Sequence, residues 1–225
     1  VPQNDYYVSP QGDDSNDGRT ATSSWRTLKH ACEQTFNLGQ CRINVQSGVY
    51  EEQCPIRVGR SVVMEGNGLG AVTVSPSGAD NGFGAGISDD GSTPNANSNL
   101  FLMNNGARLR NFTFRNFSTG SVIVSLDPGY GPDDTSVWIT SQSPYVQNCT
   151  SFTPGGTGFK IDGSLHNGGY KSMVANDWTQ INSDGVGIHV LNDGRTEIVS
   201  CFTYYCDIGY LAESGGKIRA IVGNN

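Results

Sequence analysis

From Cys41 onward the apolar residues come in short, β-branched runs divided by Gly-, Asn- and Ser-rich turns. Arg42-Ile-Asn-Val, Ile56-Arg-Val, Val62-Val-Met and Val72-Thr-Val are the first of these, and they predict short strands. Asp5–Ser9 predicts a leading strand and residues 10–24 a polar loop. Trp25–Phe36 is the one helical stretch, with Leu28, Ala31, Cys32 and Phe36 on one face and Ser23 or Ser24 as its cap. Residues 77–99 and 127–134 are Gly-, Asn- and Pro-rich excursions.

An internal repeat governs the second half. Leu109-Arg-Asn-Phe, Val146-Gln-Asn-Cys, Val174-Ala-Asn-Asp, Ile198-Val-Ser-Cys and Ile218-Arg-Ala-Ile share a form, with Asn111, Asn148, Asn176, Ser200 and Ala220 two places after the aliphatic residue. Gly120, Gly158, Gly187 and Gly209 follow the first four, each ahead of a second strand. The uneven spacing suits a solenoid, where extra residues bulge outward at turns without disturbing the stack. Leucine-rich repeats need a denser Leu pattern, and propeller blades a more regular period. The expected fold class is therefore all-β: a right-handed parallel β-helix, a single-stranded solenoid with an N-terminal capping helix. Residues 1–40 would form the strand, loop and capping helix, and 41–225 the parallel β-helix. Stacking at strand spacing would place Asn111, Asn148 and Asn176 in an amide ladder.

Composition narrows the function. A net charge of −7 and a pI near 4.8 argue against nucleic acid and anionic membranes as partners. No apolar run approaches the roughly 20 residues that span a bilayer. The chain begins Val1-Pro2-Gln3 and ends at Gly223-Asn224-Asn225, partway through a repeat, which reads as a fragment. Cys32, Cys41, Cys54, Cys149, Cys201 and Cys206 lack zinc-type spacing. They are expected to be reduced core residues, with a bridge within the first three open. Asn111-Phe-Thr, Asn116-Phe-Ser and Asn148-Cys-Thr fit the N-glycosylation pattern.

Asp5-Tyr-Tyr-Val-Ser-Pro-Gln-Gly-Asp-Asp-Ser-Asn-Asp-Gly, Ser24-Trp-Arg-Thr-Leu-Lys-His-Ala and Ile43-Asn-Val-Gln-Ser-Gly-Val-Tyr-Glu-Glu resemble the opening of right-handed parallel β-helix proteins, among them pectate-lyase-like enzymes and phage tailspikes. Gly158-Phe-Lys-Ile-Asp-Gly-Ser-Leu-His, Met173–Gly185, Phe202–Glu213 and Gly215-Gly-Lys-Ile-Arg-Ala are similar to large structural proteins of contractile-tailed marine cyanophages. That resemblance implies a virion location in a tail or baseplate (otherwise extracellular), a homotrimer, other virion proteins as partners, and contact with a host surface polysaccharide. The first resemblance leaves a polysaccharide lyase or glycoside hydrolase open, as it does a purely architectural coil stack.

A hydrolase of this kind would need two carboxyl groups, and a lyase would need Ca²⁺-binding acids with a base. Asp162, Asp193 and Glu213 follow the second strands of successive coils and could gather on one edge; acids in turns are also simply solvated. Asp177 stands where other repeats carry Phe112, Cys149, Cys201 and Ile221, so it is either an inward carboxylate or the mark of a local shift. Asp184 lies in an Asn-Ser-Asp-Gly turn. Asp13-Asp-Ser-Asn-Asp-Gly begins like a calcium loop but has Ser24 where the bidentate Glu belongs, so no cofactor is expected, with Ca²⁺ the one open alternative. No metal site is expected either. His189 matches Lys160 and Leu211 and should face outward. Tyr170, Trp178, Tyr204, Tyr205 and Tyr210 are candidate sugar platforms, although Trp178 and Phe202 share a repeat position and could instead stack in the core. Only one of Tyr204 and Tyr205 can be inside an extended strand.

Overall fold

The computed structural model describes residues 4–77, 86–87, 94–95, 99–115, 121–125, 143–152, 155–166, 172–182 and 184–223. Strands come in the order β1 (Asp5–Val8), β2 (Cys41–Val45), β3 (Gly48–Glu52), β4 (Ile56–Val58), β5 (Val62–Gly66) and β6 (Val72–Pro76). A small antiparallel pair follows, β7 (Gly86–Ile87) with β8 (Pro94–Asn95). Next come β9 (Phe101–Met103), β10 (Arg108–Arg110), β11 (Thr113–Arg115), β12 (Ser121–Ser125), β13 (Tyr145–Phe152) and β14 (Thr157–Asp162). The last six are β15 (Ser172–Ile181), β16 (Val186–Leu191), β17 (Arg195–Val199), β18 (Phe202–Tyr204), β19 (Ile208–Ala212) and β20 (Lys217–Ile221).

Apart from β7–β8 every pairing is parallel and joins one coil to the next. The first face stacks β1, β2, β5, β10, the start of β13, the start of β15, β17 and β20. The second stacks β3, β6, β11, the ends of β13 and β15, and β18. The third stacks β4, β9, β12, β14, β16 and β19. The molecule is a three-faced, right-handed parallel β-helix, since crossovers between parallel strands take that hand.

Each face alternates inward apolar with outward polar residues, the period-2 signature of a strand with one buried side. On the first face Tyr6, Ile43, Met64, Leu109, Val146, Ala175 and Ile198 form one inward file. On the third, Ile56, Phe101, Ile123, Phe159, Ile188 and Tyr210 form another. The second face changes character along the axis. Its inward file runs Tyr50, Val74, Phe114, then Ser151, Gln180 and Thr203, all buried. The polar end is accommodated by glycine across the interior. A Cβ at Gly158 would lie 2.4 Å from Gln180 Oε1, and one at Gly187 would lie 2.3 Å from Thr203 Cγ2. Outward, Thr73, Thr113, Thr150 and Thr179 form a threonine file.

These registers correct the sequence reading at three points. Val174 and Ile218 do not belong to the file of Val146 and Ile198; Ala175 and Ala220 take those places, and Ile218 pairs with Thr196. Asn176 is therefore an outward strand residue, and the corner position after Asn111 and Asn148 falls to Asp177 and then Ser200. All four have φ between 51° and 64°. Asn111 Nδ2 donates to Gly66 O at 3.2 Å and Asn148 Nδ2 to Asn111 Oδ1 at 2.9 Å, so the ladder is real but two rungs long. Amides suit this corner because Asn tolerates the left-handed conformation and bonds locally. The nitrogens of these two sequon asparagines are thereby committed to the stack, while Asn116 lies outside the described residues. Gly158, Gly187 and Gly209 align as expected and Val122 shares their level, while Gly120 lies outside the described residues.

The helix, α1, spans Leu28–Thr35 and is capped by Thr27, whose side chain accepts from His30 N; Ser23 instead ends a short 3₁₀ turn, Ala21–Ser23. Trp25 belongs to the loop. It stacks on Tyr6 at 5.1 Å, sits over Gly18 and bridges to Val8. Leu28, Ala31 and Cys32 of α1 join the core, with Cys32 Sγ 3.5 Å from Met64 Sδ. All six cysteines are free thiols, and Cys32, Cys41, Cys149 and Cys201 are buried. No helix among the described residues is long and apolar enough to cross a membrane.

Candidate functional site

The acids predicted to share an edge are only partly brought together. Asp162 ends β14 opposite Leu191, and Glu213 follows Ala212, the partner of Val190. Asp162 and Glu213 therefore lie about two strand spacings apart along the axis, roughly 10 Å. Asp162 Oδ1 accepts from Ser164 N (2.9 Å), Ser164 Oγ (2.6 Å) and Asn192 Nδ2 (2.8 Å). Burial alone would raise this carboxyl, but these bonds, aided by Lys160, hold it below the usual range. Asp162 so held is a fixed acceptor that locks a turn, not a proton donor. Glu213 pairs with His189 Nε2 at 2.8 Å, and His189 faces outward between Lys160 and Leu211 as expected. Asp193 lies in the turn two residues past Leu191, beside Ser214. It sits in a left-handed turn (φ 62°), with its N–H on Ser214 O, so its direction is set by the turn.

Asp177 is not an inward carboxylate. It is exposed at the left-handed corner, and Trp178 takes the interior place held by Cys149 one coil earlier. Asp184 is likewise an exposed turn residue with φ 69°. The N-terminal aspartates serve backbone. Asp13 accepts from Ser15, Asp17 from Arg19 and Ser23, and Asp14 from Arg26 N and Thr27.

Of the aromatic candidates, Tyr170 lies outside the described residues. Trp178 is corrected to a core residue: it is fully buried, packed on Phe114 (6.0 Å) and edge-on to Phe159 (5.6 Å). It does not share a level with Phe202, which pairs with Thr179. Tyr210 extends the third inward file and donates from its hydroxyl to Cys201 O at 2.8 Å; burial pushes its phenol up. Tyr204 and Tyr205 are both outside, because Thr203 takes the inward place and a left-handed Tyr205 (φ 61°) breaks the alternation. Tyr205 is 82% exposed and Tyr204 45%. Tyr204 stacks on Phe202, centroids 6.3 Å apart and planes within 8°.

The outer side of the second face thus carries a strip that the repeat pattern alone did not display. Below Tyr204 lie Ile181, Phe152 and Arg115, with Arg115 over the Phe152 ring at 4.7 Å. Its signal lies in the outward positions of three successive strands, beyond the corner residues at which the repeat pattern stops.

A concavity of about 630 Å³ lies on the outer side of the first face over coils one to three. Asn44, Gln46, Asn67 and Asn111 line it with Tyr7 and Glu65. Asn111 belongs to the repeat, whereas Asn44, Gln46 and Asn67 carry no repeat signal because they lie in the least repetitive coils.

Fold and surface together define a parallel β-helix whose outer faces carry an aromatic strip and a polar groove, with no group of three or more metal-ligating side chains among the described residues. The chain belongs to the DUF1565 family, described as a protein of unknown function, which it matches over residues 10–203. No curated protein matches it. Among solved structures it is similar to YbhC of Escherichia coli, with a TM-score of 0.53 and 11% identity over 99% of this chain and 72% of that one. It is also similar to a pectin methylesterase solved with hexasaccharide VII, with a TM-score of 0.45 and 12% identity over 90% of this chain. The chain spans 56% of that second protein's length. At these identities the likeness to YbhC establishes the parallel β-helix and nothing finer.

Proposed function

We propose that this β-helix is a non-enzymatic structural protein of a phage tail or baseplate, trimeric in the virion, that contacts a host surface glycan. The observation that carries the glycan contact is the exposed Phe202–Tyr204 stack with Tyr205 beside it, continued by Ile181 and Phe152. Parallel rings on a rigid sheet suit the apolar faces of pyranose rings, and rigid aromatics lose little conformational entropy on binding. The likeness of residues 158–220 to cyanophage structural proteins supports the virion placement and the partners that go with it. Asp162, held as a fixed acceptor, favours binding over glycosidic cleavage.

Incubation with cyanobacterial surface polysaccharide tests both parts. Retention on the polysaccharide, weakened about tenfold by Tyr204→Ala with Tyr205→Ala, together with no new reducing ends, is the expected result. New reducing ends or unsaturated products would replace this reading with an enzyme, and undiminished retention in the double variant would remove the strip from it.

A further inference from the structure

The groove on the first face has a feature the strip lacks: its amides are anchored by their nitrogens. Asn44 Nδ2 donates to Tyr6 O (3.2 Å), Gln46 Nε2 to Ala21 O (3.3 Å) and Asn67 Nδ2 to Ser47 Oγ (3.5 Å). Each of these three side chains is thereby oriented, and its carbonyl oxygen has no protein donor among the described residues. Asn111 differs, since its oxygen already accepts from Asn148. Asn44 pairs in register with Glu65, whose carboxylate meets Arg110 at 3.5 Å, and Gln46 and Asn67 follow the paired Val45 and Gly66. The acceptors therefore recur from coil to coil at strand spacing, about 4.8 Å. At the groove wall Arg42 has an Nε without an acceptor, and Tyr7 presents a ring on the same face as Asn44. The floor is backbone at Gly66, where a Cβ would lie 2.4 Å from Asn111 O.

Acceptors fixed in place before a ligand arrives select for a ligand rich in donors. Three carbonyl oxygens oppose an anionic partner, which a chain of net charge −7 also repels at a distance, and the Glu65 carboxylate is already matched by Arg110. A dense set of hydroxyls, each able to donate to an amide oxygen and accept from Arg42, is the chemistry that fits. We infer that the groove lined by Asn44, Gln46 and Asn67 is a binding subsite for a neutral polyhydroxylated ligand, an uncharged oligosaccharide, separate from the aromatic strip. This inference shares with the proposed function only the class of ligand.

The test is side-chain amide NMR on the full chain carrying Tyr204→Ala and Tyr205→Ala, so that the strip is out of play. The probes are uncharged hexamers of β-1,4-glucose, α-1,4-glucose and β-1,4-mannose, with hexagalacturonate as the anionic comparison. The expected result is a saturable shift of the Asn44, Gln46 and Asn67 NH₂ signals with at least one uncharged hexamer and at least tenfold weaker response to hexagalacturonate. Gln46→Ala, at a turn where the side chain bonds only a loop carbonyl, should weaken that binding about tenfold while leaving the other backbone signals in place. No shift with any uncharged hexamer, or a stronger response to hexagalacturonate, overturns the inference. Undiminished retention of the Tyr204→Ala, Tyr205→Ala chain on surface polysaccharide, with the groove shifts intact, would leave the inference standing while the strip drops out of the proposed function.

Discussion

Glu52 gives the sharpest physical test of how the N-terminal helix is held. Its carboxylate is 2% exposed at the end of β3, and it accepts from Leu28 N at 2.7 Å and Lys29 N at 3.1 Å, the first amides of α1. Burial pushes its pKa up to about 7; the two amide bonds and Lys29 pull the other way, and Asp14 adds to the rise. In the unfolded chain the same group titrates near 4.5. Between those values the folded state holds more protons. The contribution of Glu52 is thus greatest below about pH 4.5 and is lost as pH rises through about 7. At 1.36 kcal/mol per pH unit, a rise from 4.5 to about 7 corresponds to about 3 kcal/mol. Urea unfolding followed by tryptophan fluorescence at about pH 5 and about pH 8.5 should show most of this loss in the native protein. Glu52→Gln keeps one acceptor and does not titrate, so its stability should fall between the two pH values by about 2.5 kcal/mol less. Equal pH dependence in the two proteins would refute the claim that Glu52 is buried against the helix terminus.

Two further outcomes check the register. Asn148→Ala should cost about 2 kcal/mol in urea unfolding, from the lost bond to Asn111 and the left-handed backbone, while Asn148→Gly should recover about half. Trp178→Ala should cost about 3–5 kcal/mol by the same measurement, as a large side chain leaves the interior; a value under 1 kcal/mol would place Trp178 on the surface.

The repeat was legible where both strands of a coil keep the same offset from a corner residue, as Leu109 with Asn111 and Val146 with Asn148 do. It became ambiguous at β15, where Val174 and Ala175 alternate faces. A β-branched residue is the natural choice for the interior, yet in the structure the smaller Ala175 is inward. The one-residue slip offers Asp177 an inward place, beside the alternative of a local shift that the structure adopts, and moves Trp178 toward a sugar platform, because a shift of one exchanges every side chain between the two sides of a sheet. At β20 the slip was two residues, which preserves facing and so left Ile218 inward but at the wrong level. The helix was legible from its spacing, but its start was not: Trp25 fits the apolar stripe, and only the fold around Gly18 and Tyr6 shows it to be part of the loop. The groove left no periodic trace, since its amides come from three coils of different length.

The inward file that passes from Tyr50, Val74 and Phe114 to Ser151, Gln180 and Thr203 adds to the stack a gradient of cohesion along its axis. Stacked units exchange free energy chiefly with their immediate neighbours, so unequal interiors become unequal resistance to opening. The coils that hold Gln180 and Thr203 gain less from leaving water than those built on Phe114, and Thr203 Oγ1 and Trp178 Nε1 are buried there without partners. Local opening is therefore easier in the coils around Gln180 and Thr203 than in those around Phe114, so the exposed tyrosines ride on the more compliant stretch of the stack.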